Sequence, residues 1–168
     1  MKAETEGKLR KQIKNLLILF IVGLVVSGVT AFPIETELAF VNANISSFPG
    51  YFQSWINEVY LAVKSTNDKF PYLSYGTDWL AFAHIVIAVA FIGPLKDPLK
   101  NIWVIQFGMI ACVMVFPLAF FAGAIRGIPL YWQIIDCSFG VLGFVLLYLC
   151  HRKILRLEKV RQEELIKN

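Results

Sequence analysis

Four long apolar stretches alternate with short polar or charged segments along this chain, at roughly Leu16–Ile34, Thr77–Leu95, Ile102–Ile125 and Leu130–His151. Each is longer than a strand or a short core helix requires. Each comes close to or exceeds the ~20 helical residues that cross a bilayer. A segment in hydrocarbon must satisfy its own backbone hydrogen bonds, which selects helix. A closed barrel would instead show alternating segments of about ten residues, and none is present. The pattern therefore predicts an all-α membrane protein. It would be a four-transmembrane-helix antiparallel bundle, one integral membrane domain over residues 1–168, with an outer loop at 35–76 and a tail at 152–168. The first stretch has the basic front of a signal peptide (Lys8, Arg10, Lys11, Lys14). It is longer than a secretory h-region of ~7–15 residues and lacks a small-x-small cleavage site, so it reads as a retained helix.

The connections sharpen the topology. In the first loop, Pro49-Gly50 and Pro71 bracket a segment, Tyr51–Thr66, that reads as a short amphipathic helix. Phe52, Trp55, Ile56, Val59 and Val63 fall on one face, and Gln53, Asn57, Glu58 and Lys64 fall elsewhere. Such a helix suits the outer interface or a cap on the bundle. Asn44-Ile45-Ser46 matches the glycosylation sequon, a short and unspecific motif. The connections Lys96–Lys100 and Gly127–Pro129 are tight, which makes the second and third spans, and the third and fourth, antiparallel neighbours. Pro94 is placed to help end the second span, and Pro117 to kink the third. The last segment, from Arg152, is expected to continue the fourth helix, with Glu163 and Lys167 as an i,i+4 pair.

Composition agrees: 57% of the 168 residues are hydrophobic, against ~45–50% in a soluble domain. Charge then orients the bundle. Thirteen of the sixteen Lys and Arg residues fall on the side that holds both termini and the second connection, and only Lys64, Lys69 and Arg126 fall on the other. Acidic residues divide equally, so the two sides carry net +7 and −3. Cytoplasmic loops are rich in Lys and Arg, so both termini are expected in the cytoplasm, in a cell membrane (bacterial inner or plasma membrane). Tyr72, Tyr75, Trp79, Tyr131 and Trp132 mark one interface, and Trp103 and Tyr148 the other. The basic tails suit anionic lipid, not nucleic acid. Membrane lipids are the expected partners, beside a homo-oligomeric copy or a larger membrane protein.

Ionisable side chains within spans are costly and mark function or buried pairing. His84 shares a face with Thr77, Ala81 and Ala88. Asp136 shares one with Gln133, Gly140 and Gly143. Arg126 ends a stripe of Gly108, Cys112, Val115, Ala119 and Ala122. Small residues let helices approach, so these side chains are expected to point inward. At ~1.5 Å per residue, His84 and Asp136 lie on the order of 10 Å deep, within reach of Arg126, with Asp78, Glu35 and Glu37 at the rim. On the cytoplasmic side Gln106 is almost the sole polar residue within a span.

Two readings follow. One is a structural network in which Arg126 pairs with Asp136 across the hairpin. The other is an outward-facing polar site made by His84, Arg126, Asp136, Asp78 and Gln133, in a ligand-binding or accessory bundle. A membrane-embedded enzyme on a lipid-like substrate would use His84 as acid/base, since imidazole titrates near neutral pH. An oligomeric channel or carrier would need polar residues through the inner half. A catalytic metal typically takes three protein ligands, for which His84, Asp136 and Glu35 are weak candidates. No cofactor is supported: His151 lies at the far membrane face from His84, there is no phosphate-binding Gly-rich loop, and Cys112, Cys137 and Cys150 form no Cys-x-x-Cys. The cysteines read as small apolar core residues.

Overall fold

The computed structural model describes residues 2–165, with side chains for all of these except 2–5 and 164. Lys167, and with it the Glu163–Lys167 pair, lies outside the described residues, as does the side chain of Lys2. The chain is all-helical, with no strand among the described residues. The helices are α1 (Lys2–Ala31), α2 (Ile34–Asn44), α3 (Gly50–Lys69), α4 (Tyr75–Ala90), α5 (Ile92–Lys96), α6 (Ile102–Pro117), α7 (Gly123–Ile125) and α8 (Leu130–Leu165). Four segments are long and apolar enough to cross a membrane: Glu6–Ala31, Pro71–Lys96, Ile102–Ile125 and Leu130–Glu163. Only 11–22% of the most apolar stretch of each is buried within the chain. The remaining apolar side chains face outward, as a bilayer or a partner would require. At ~1.5 Å per residue α8 is on the order of 54 Å long, well beyond the ~30 Å of hydrocarbon.

The prolines explain the breaks. Pro94 cannot donate to Ala90 O, and its ring crowds that carbonyl. The helix accordingly stops at Ala90 and resumes as α5 after a turn at Phe91. Asn101 Nδ2 then donates to Gly93 O (3.2 Å) and Asp97 O (2.9 Å), closing the second connection. Pro117 leaves Val113 O without its i+4 donor, and a π-helical turn, Leu118–Ala122, follows directly.

The structure has two compact units, residues 1–22 with 89–168, and residues 23–88. In the first, α6 and α8 pack antiparallel. A Cβ added at Gly140 would lie 2.8 Å from Cys112 O, and one added at Gly108 would lie 2.6 Å from Leu147 Cδ1. The small-residue stripes therefore form the contact. The best-buried part of this unit lies toward the basic ends of α1 and α8: Ile13, Leu17, Leu147, Cys150, Ile154 and Leu157 are essentially inaccessible. The i,i+4 and i,i+3 spacings of these residues give each helix one apolar stripe. Lys153 Nζ donates to Gln12 Oε1 (2.8 Å) above that core. The three cysteines are free thiols, with Cys137 and Cys150 buried.

In the second unit, α2 and α3 form a hairpin. Ile56 is buried at 3% exposure, and Phe52, Trp55, Val59 and Val63 are partly covered. Gln53 Nε2 donates to Phe48 O (2.7 Å) and Ser46 O (3.2 Å), tying the loop to α3. The hydropathy pattern predicts only loop at 35–76, whereas the structure has the helix α2 there. Its Glu35 and Glu37 in the first turn, after Pro33, are the electrostatic start signal that was present. In the same unit α1 crosses α4 at Gly28, where an added Cβ would lie 2.7 Å from Ala81 O.

Candidate functional site

The connection between the third and fourth spans is built by backbone rules. Gly127, at φ +69°, is the one described residue with positive φ. It follows α7 as a left-handed cap, with Ile128 N–H donating to Gly123 O (2.9 Å) and Gly127 N–H to Ala124 O (3.3 Å). This paired pattern satisfies the last carbonyls of the helix. Pro129 then starts α8, its carbonyl accepting from Trp132 N–H (2.9 Å) and Gln133 N–H (3.1 Å).

Gln133 locks the turn. It is 6% exposed, and its Nε2 donates to Ile128 O at 2.7 Å. Its side chain lies across Gly123, where an added Cβ would come 2.8 Å from Gln133 Cδ. Next to it, a cavity of about 330 Å³ is lined by Arg126, Gln133 and Asp136 together with Val115, Leu118, Ala119 and Ala122. One wall is the π-helical turn. Three of the five polar residues expected at the site therefore share one notch. Arg126 and Asp136 are both exposed at its mouth. Among the described residues no ion pair joins them.

His84 and Asp78 belong to the second unit. His84 is partly buried beside the Gly28 crossing, where an added Cβ would come 3.2 Å from His84 Cβ. Its Nδ1 donates to Leu80 O at 2.8 Å. A carbonyl can only accept, so this bond places a proton on Nδ1. Asp78 lines a different cavity, of about 310 Å³, with Phe32, Tyr75, Trp79 and Phe82. Glu35 Oε2 accepts from Asn67 Nδ2 (2.6 Å), and Asn67 Oδ1 accepts from Ser74 Oγ. This chain of bonds ties α2, α3 and the turn before α4, and sequence reasoning missed Asn67 and Ser74. Among the described residues no three of His, Cys, Asp and Glu converge as a metal site.

A second polar meeting point was also missed. Gln106 and His151 line a groove of about 450 Å³ between α6 and α8, with Met109, Ile110, Val113, Met114 and Phe144. The Nε2 of His151 is shielded from solvent and has no hydrogen-bond partner among the described residues. The groove lies at the basic end of the helix pair, away from the Gly127 turn. Compared with known protein families, curated proteins and solved structures, the chain finds no match.

Proposed function

We propose that this is a small multi-pass protein of a cell membrane, with both termini cytoplasmic, and that it binds the polar group of a small ligand or lipid at the Arg126–Asp136 notch. The observation that carries this reading is the pair of unjoined, oppositely charged side chains exposed in one cavity beside an apolar helix pair. Ionisable side chains in or beside a membrane-spanning segment are costly when nothing answers them. One cation and one anion lining a single cavity suit a zwitterionic group. The Lys/Arg asymmetry supports the orientation, with α3 lying at the outer interface. Membrane lipids are the first partners on this reading. A second copy or a larger membrane protein whose polar side chain fills the notch is the alternative occupant.

The test compares wild type, Arg126→Gln and Asp136→Asn in maltoside, with and without added phosphatidylethanolamine. A ligand that binds only the folded state raises Tm by mass action. The expected result is a lipid-dependent rise in wild type that both variants lose, with all three melting alike in detergent alone. Variants that melt well below wild type without lipid would make the two residues structural and sink the proposal. Unchanged lipid response in both would do the same.

A further inference from the structure

We propose a second binding site, for a quaternary ammonium cation, in the cavity lined by Phe32, Tyr75, Asp78, Trp79 and Phe82. It is distinct from the Arg126–Asp136 notch and does not rest on that reading. The local sequence builds it. Tyr75, Asp78, Trp79 and Phe82 are spaced three and four apart in the first two turns of α4, so they share one helical face. Phe32, just beyond α1, supplies a further wall.

The rings do not lie flat on one another. Tyr75 and Trp79 meet at 78° with centroids 5.9 Å apart, and Trp79 and Phe82 meet at 86° with centroids 6.0 Å apart. Near-perpendicular planes border the cavity from several directions. The four aromatic residues are 44–60% exposed, so they are open to contact. An aromatic face carries negative quadrupolar charge and attracts a cation placed within ~6 Å of its centroid.

Asp78 supplies the formal counter-charge. It is partly buried among these rings. Among the described residues its carboxylate has no ion pair, although its N–H donates to Ser74 O at 3.2 Å. Aromatic walls satisfy few N–H donors. A cation that carries none, with its charge spread over methyl groups, matches them better than a lysine-type ammonium. At about 310 Å³ the cavity stands at the lower end of the ~300–1,000 Å³ range of small-molecule sites, which fits a trimethylammonium group.

The experiment titrates tetramethylammonium chloride into the full chain in maltoside, at ionic strength held constant with sodium chloride, and reads tryptophan fluorescence. Wild type is expected to saturate, while sodium or ammonium alone produces no saturable change. Asp78→Asn and Phe82→Leu should each weaken the apparent affinity by about tenfold or more. Because Phe82→Leu leaves Trp79 in place, the signal survives in both variants. Helical circular dichroism confirms that they fold. No saturation in wild type, or equal affinity in wild type and both variants, would leave these residues as an interfacial aromatic belt and overturn the proposal. Two nanodisc arms then identify the source of the cation. Weaker apparent affinity in phosphatidylcholine discs than in phosphatidylethanolamine discs, which have the same net surface charge, means that the trimethylammonium headgroup occupies the site. Equal affinity in both means that the site takes a free cation.

Discussion

The α6–α8 pair has a polar group at each end, and the two ends treat it differently. At the Gly127 turn, Gln133 is buried with its amide donating to Ile128 O, so the hydrogen bond and the turn hold each other. At the basic end, His151 lies in the wall of an apolar groove with its Nε2 shielded and unpartnered among the described residues. A buried polar atom that is satisfied contributes modestly, whereas one left unsatisfied costs its desolvation, roughly 1–3 kcal/mol. The Gly127 end is therefore built to specify a turn. The basic end holds a polar atom that no described residue answers.

The frame shared by both ends is the easiest to break. In Gly140→Leu the new Cβ meets Cys112 O, a backbone atom, at 2.8 Å. The helices must part, and about 3 kcal/mol of stability should be lost, read as a fall of Tm in detergent. Gly23, which has nothing within 4 Å of an added Cβ, is the control. Gly23→Ala should be neutral or stabilising by up to ~1 kcal/mol through helix propensity. Gln133→Leu comes next in size. It keeps most of the volume against Gly123 but strands Ile128 O, so a loss of about 1–3 kcal/mol is expected. An unchanged Tm would mean that the Gly127 turn holds without its amide bond.

The stretches that gave the four span-forming helices were legible because hydropathy along a span is a local property. The stripes Gly108–Cys112–Val115 and Gln133–Gly140–Gly143 were legible for the same reason: small residues at helical spacing mark the line of closest approach, and Gly140 does meet Cys112 O there. Two things were not. The inward direction expected of Asp136 fails because Asp136 sits at the margin of its stripe. The residues on either side of it in the stripe, Gln133 and Gly140, are buried, while Asp136 itself is exposed. A helical wheel identifies a face but cannot say how wide the contact is. The meeting of Gln106 with His151 was hidden for a different reason. They are 45 positions apart, neither carries a fixed charge that topology counting would flag, and only the register of the antiparallel pair brings them to one groove. From the sequence, His151 reads only as a residue at the membrane face opposite His84.

The smallest effect tests the contrast between the ends most directly. His151→Phe replaces an unpartnered ring nitrogen with carbon while keeping a planar ring against Met109 and Phe144. Nothing among the described residues loses a hydrogen bond through Nε2, and a desolvation cost disappears. Stability should hold or rise, by at most ~1 kcal/mol, opposite in sign to Gln133→Leu. Chemical unfolding of the two variants side by side in one detergent is sufficient, because the contrast lies in the sign. A drop with His151→Phe as large as that of Gln133→Leu would show that Nε2 has a partner when the protein is in detergent. The groove would then be an occupied site, and the two ends would follow one rule.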